Sequence, residues 1–137
     1  MAATGLAPRV ETYRMVIAAT AAGADFEVTV CAAPYAGTVT AVNYIADTTL
    51  TGAATDSRTL SLVNKGQAGL GTTAVASKAF VSGVDALSFA RTIITLSGTP
   101  ANLVVAAGDV LAFKSLHIGS TGLADPGGTV EVTISRD

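Results

Sequence analysis

The stretch LSLVNKGQAGLGTTAVA, residues 60 to 76, sets Lys65 beside Gly66, Gly69 and Gly71. Those are the residue types from which phosphate cradles are built. A Walker loop needs Gly, four residues, then Gly-Lys-Ser/Thr opening a helix. Here Lys65 comes before the glycines, and Gly71 leads into TTAVAS, a β sequence. A dinucleotide fingerprint needs Gly at its first, third and sixth places; Gly69 and Gly71 supply two, and Ala74 fills the last, a permitted variant. No helix follows and no βαβ unit surrounds it, so the helix N-terminus that would hold a phosphate is missing. The glycines read instead as positions of positive φ in a long hairpin loop, an exposed surface suited to contact.

His117 is the only histidine. A triad would have to use it, with Asp109 and a serine such as Ser120, yet no Gly-x-Ser-x-Gly elbow occurs. Cys31 is the only cysteine, which leaves no intramolecular disulfide and no cysteine-based zinc site. It reads as a buried, inert thiol, either in register with Glu27 and Thr29 or as a small filler near a strand end. The ten acids are dispersed, most at turn positions where Asp bonds its own backbone; no Asp-x-Asp cluster supports a calcium loop. Tyr13, Tyr35 and Tyr44 form no stacking platform, and Trp is absent. Basic residues are isolated, so no track for nucleic acid exists. No catalytic residue, metal or cofactor is implied, and the chain reads as a non-enzyme.

The elements that would carry these residues are strands. Short runs rich in Val, Ile and Thr, bounded by Gly, Asn, Asp or Pro, recur along the chain. They are Val10–Thr20, Phe26–Ala33, 37–47, 57–64, 73–82, 90–98, a short LVV at 103–105, 110–119 and Thr129–Ser135. Val39 is out of phase with Val42 and Tyr44, which predicts a bulge or a strand covered on both faces. In 57–64, Leu60 and Leu62 share a face; in the last strand Val130, Val132 and Ile134 point inward and Thr129, Glu131 and Thr133 outward. VDALSFA, residues 84 to 90, is ambiguous and could form a helical turn. The sum is an all-β chain: an antiparallel β-sandwich of jelly-roll type with eight or nine short strands. Residues 1–9 read as a short extended N-terminal arm and 10–137 as a single sandwich domain.

Composition narrows the partners. The chain has 137 residues and a net charge of -2, with a pI near 5.2. Only 13% of residues are charged, about half the usual share. Hydrophobic residues reach 50% and mean hydropathy is +0.54, yet Ala and Val supply the bulk and aromatics are 5%. Residues 28–46 and 92–108 hold no charge at all. Strands with one wetted face normally show Lys or Glu, so these windows point to faces covered by core on one side and a neighbouring subunit on the other. A surface carpeted with Thr, Ser and Gly is the other reading. The apolar run Met15 to Ala24 is too short to span a membrane and belongs in the folded domain.

The segments SLVNKGQAGLGTT (61–73), ITLSGTPANLVVAAGDVLAF (94–113) and TGLADPGGTVEVTI (121–134) resemble head-decoration, or capsid cement, proteins of tailed double-stranded DNA bacteriophages. The resemblance covers roughly the last two-thirds of the chain. It implies a β-rich homotrimer that binds the major capsid protein lattice on the outer surface of the virion and stiffens the shell. It carries over no catalytic residue. Contact residues expected on this reading are Ala2, Ala3, Thr4, Leu6 and Pro8 of the arm, with Tyr35, Tyr44, Lys65 and Leu70. The arm could add a strand to a neighbour's sheet edge. The competing expectation is a receptor- or glycan-binding sandwich of a phage fibre or tail.

Overall fold

A computed structural model describes residues 9–137. The strands are β1 (Val10–Ile17), β2 (Phe26–Ala32), β3 (Gly37–Ala46), β4 (Ser57–Gly66), β5 (Thr73–Phe80), β6 (Arg91–Ile93), β7 (Val104–Val105), β8 (Val110–Ile118) and β9 (Gly128–Arg136). A single 3-10 turn, Pro100–Leu103, precedes β7. Residues 84–90 form no helix; they make turns, and Ala86 bridges to Leu50.

All pairing is antiparallel, in two sheets: β1-β9-β3-β6, with β7 also on β3, and β2-β8-β4-β5. The topology follows from one long hairpin. Its arms pair β1 with β9, β2 with β8, β3 with β6, and β4 with β5. Rolling that ribbon on itself adds β9 beside β3 and β8 beside β4. The product is a jelly roll.

The core lies between the sheets and follows strand parity. Val39, Val42 and Tyr44 of β3, Leu60 and Leu62 of β4, Leu111 and Phe113 of β8, and Val130, Val132 and Ile134 of β9 are buried together. The phase slip in β3 is a bulge: the register shifts between Val39 and Ala41, so Thr40 is the extra residue. That lets Val39 and Val42 both face inward although three positions separate them.

After β6 the chain leaves its sheet. Ile94 N–H still donates to Val42 (2.9 Å), but Thr95 accepts from Ser77 (2.9 Å) and Ser97 donates to Val75 (2.8 Å) on the edge of the other sheet. This crossing strap closes one side of the sandwich and pairs with Val75–Ser77 of β5. On the opposite side, β1 and β2 end their sheets with no described strand beyond them.

Candidate functional site

The expected contact residues separate into three groups. Ala2, Ala3, Thr4, Leu6 and Pro8 lie outside the described residues. Tyr35, Lys65 and Leu70 fall at one end of the sandwich, where β1 and β5 begin and β2, β4 and β9 finish. Tyr44 does not join them, and its assignment as a contact residue is corrected: it is fully buried at the sheet-to-sheet interface and stacked on Phe113 at 5.9 Å between ring centroids. Its parity with Val42 puts it on the core face of β3.

The loop after β4 holds the most exposed large hydrophobic side chain of that end, Leu70, at 84%. Gly66 (φ 68°) and Gly69 (φ 79°) have the expected left-handed backbone. Gly71 does not; a Cβ there would stand 2.4 Å from the Asn64 carbonyl oxygen, so this glycine serves a close approach that brings its N–H onto Lys65 O (2.9 Å). Lys65 is paired with Glu27 across the strands at 3.2 Å. Tyr35 works as a latch: its hydroxyl donates to Ile134 O (3.2 Å), and the Arg136 guanidinium lies 5.7 Å from its ring centre. Arg9, assigned to the arm from sequence, is already tied in, its carbonyl accepting from Arg136 N–H at 2.7 Å.

Asp109 and His117 do not meet. They lie at opposite ends of β8, a span of roughly 27 Å for eight strand rises. His117 Nδ1 is instead 2.7 Å from Asp25. The His117 backbone N–H, with the ring, holds the Asp25 carboxyl below its ordinary range. Asp109 is likewise lowered, chiefly by the Ala106 N–H and then by the Asn64 amide. The Cys31 thiol is half-buried and is pushed up to about 11 by that burial, which leaves it protonated and inert.

The far end carries what sequence reasoning missed. Arg58 is fully buried. Its guanidinium donates to the carbonyls of Leu123 (2.6 Å) and Ala24 (2.9 Å) and to Ser115 Oγ (2.8 Å), clamping loops 18–25 and 119–127 to β4 and β8. Asp125, also buried, accepts from Tyr44 Oη (2.6 Å), Ser115 Oγ (3.0 Å) and Gly127 N–H (3.0 Å). Burial first, and the Asp125 bond second, push the Tyr44 phenol strongly upward. Nearby, an open cleft of about 400 Å³ is lined by Lys78, Asp85, Leu87, Ala90, Arg91 and Thr92 among others. Beside Leu87 and Ala90 in sequence stands Phe89, 81% exposed at φ 57°.

The outer face of the β1-β9-β3-β6 sheet is built mostly of Thr, Ser, Val, Ile and Ala. Rows across it read Val16-Thr129-Ile45-Arg91, Arg14-Glu131-Asn43-Ile93, Thr12-Thr133-Ala41 and Val10-Ser135-Thr38-Val104. Its charges make one cluster. Glu131, expected to point outward, does so but is buried beneath Arg14 (2.7 Å) and Arg91 (2.8 Å).

No protein-family model and no curated protein matches the chain. Among solved structures, the structure of infectious bursal disease virus Gx strain is similar over 93% of this chain and 32% of that one, with a TM-score of 0.39 and 13% identity. The chain thus spans about a third of that chain's length. A likeness of this degree carries no argument about function.

Proposed function

We propose that this protein is a structural virion protein, a decoration protein that binds a phage capsid lattice as an oligomer and stabilises it from outside. The observation that carries the reading is the end of the sandwich bearing Leu70. There an exposed aliphatic sits on a glycine-shaped loop, at the same end of the sandwich as the start of β1. Such a surface binds by summed apolar and backbone contacts, and several copies multiply the effect. Jelly rolls serve viral shells, lectins and enzymes alike, so the fold by itself does not choose.

The test is to mix purified protein with decoration-free capsids of the phage that encodes it. Saturation at a fixed copy number per shell is expected, and Leu70→Asp should weaken binding while leaving stability within about 0.5 kcal/mol. Absence of saturable binding to such capsids overturns the reading.

A second reading, a receptor- or glycan-binding module, is favoured by one observation. The cleft is lined by Lys78, Asp85 and Arg91, and exposed Phe89 lies in sequence between its lining residues Leu87 and Ala90. Binding to a glycan panel that Phe89→Gly abolishes would support it over the first.

A further inference from the structure

We propose that a second copy of this chain joins the first along β1, antiparallel and across a twofold axis, making one continuous sheet of ten strands. The four sheet edges differ. The edge beyond β3 is made of β6 and β7, only three and two residues long, too short to pair a neighbour over any length. That of β5 is covered by residues 95–97, and Phe80 O is taken by Ala53 N–H. The edge strand β2 is blunted by a bulge between Thr29 and Cys31 and carries the Glu27–Lys65 ion pair. Only β1 is a long, regular edge: eight residues in register with β9 without a slip.

Parity fixes which backbone groups β1 offers. Arg136 N–H bonds Arg9 O, so odd-numbered residues of β1 exchange hydrogen bonds with β9. Val10, Thr12, Arg14 and Val16 therefore aim their N–H and C=O groups away from the sheet, and all four residues are exposed.

One register uses all four. Centred on Tyr13, it sets Val10 opposite Val16 of the second copy and Thr12 opposite Arg14, each pair made twice by the symmetry. The four hydrogen-bonded pairs supply two bonds each. Val16 and Val10, 78% and 59% exposed in the single chain, cover one another. Moving the centre to Arg14 places like charges directly opposite, which is unfavourable. Moving it to Thr12 breaks the Val10–Val16 pair and sets Val10 opposite Arg14. The contact is isologous and closes as a dimer, a twofold where the resemblance to capsid cement implies a threefold. The inference needs no capsid and stands apart from the proposed function.

Mass in solution by sedimentation equilibrium should be twice that of the chain. Thr12→Pro removes an N–H that β9 does not use, so it should yield a monomer with an unchanged circular dichroism spectrum. Val10→Glu and Val16→Lys should each weaken the dimer roughly tenfold. Mixed together they should form a heterodimer tighter than either homodimer, because one pair becomes Glu–Lys and the other stays Val–Val. A wild-type monomer or trimer at 100 μM (about the range needed to see a weak dimer), or a mixture with no heterodimer preference, overturns the proposal.

Discussion

Arg58 and Asp125, a buried cation and a buried anion, are joined through a single hydroxyl. Arg58 Nη1 donates to Ser115 Oγ at 2.8 Å, and Ser115 Oγ donates to Asp125 Oδ2 at 3.0 Å. No buried side-chain polar atom among the described residues is left without a partner. The remaining guanidinium donors go to loop carbonyls and the remaining carboxylate capacity to Tyr44 and Gly127. The cluster thus fixes the loops of one end of the sandwich through β4 and β8. A buried charge persists only when its partners are all in place.

Removing the relay tests this. Ser115→Ala leaves two charged groups each short of one bond and should cost about 2–3 kcal/mol. Tyr44→Phe deletes only one bond to Asp125 and should cost about 1–3 kcal/mol, with no change in self-association because Tyr44 reaches no surface. Urea unfolding gives both values, and mass in solution checks the second. A Tyr44→Phe protein that loses its assembly state would return Tyr44 to an interface.

Acid should act on a different group. The bond from Arg91, and next that from Arg14, lowers the Glu131 carboxyl below its ordinary value despite partial burial that works the other way. A depressed native value means that this stability is fully present above the unfolded carboxyl range and is lost as pH falls through the native value. Glu131→Gln should therefore cost roughly 1 kcal/mol at pH 7 and nothing near pH 2, with the difference shrinking in high salt. Unfolding midpoints of the two proteins, followed from pH 7 down, should converge; parallel curves would contradict the ion-pair account.

The glycines of the Leu70 loop should not respond alike. Gly69 needs φ 79° but has open space around it, so Gly69→Ala costs the left-handed penalty of about 1–2 kcal/mol. At Gly71 a Cβ would press on the Asn64 carbonyl and the Lys65 backbone, and these cannot move without breaking the end of β4. Gly71→Ala should be the more destabilising of the two in thermal unfolding.

Much of this was legible from period alone. Alternation put Leu60 and Leu62 on one face and Val130, Val132 and Ile134 inward, and the Val39 slip pointed to a bulge or a strand covered on both faces, of which the structure has the bulge. The same parity carried information that was not used: Arg58 is in phase with Leu60 and Leu62, and Ser115 with Leu111 and Phe113. Both were therefore on the core face from the start, as was Tyr44. What parity could not supply was Asp125, which reaches the cluster from a loop far along the chain, or the two arginines that close over Glu131 from different strands. Those partners are set by the roll of the ribbon, and no local pattern records it. Tyr44 shares the phase of Val42, and that phase, not its residue type, puts it in the core.

Phe89 offers the sharpest trade. It is the one non-glycine residue at positive φ among those described, at 57°, and its ring is 81% exposed. Its N–H donates to Ala46 O (2.8 Å), and the turn from Leu87 to Ala90 closes around it, so the backbone is held in that conformation by the end of β3. A bulky residue there is strained, and an exposed ring recovers little from burial. Phe89→Gly should consequently raise stability by about 1 kcal/mol, seen as a higher melting temperature. If the variant melts lower, the ring is packed and the strain argument fails. If it melts higher and also loses a binding activity, the exposed ring is a contact whose cost the fold carries for that activity.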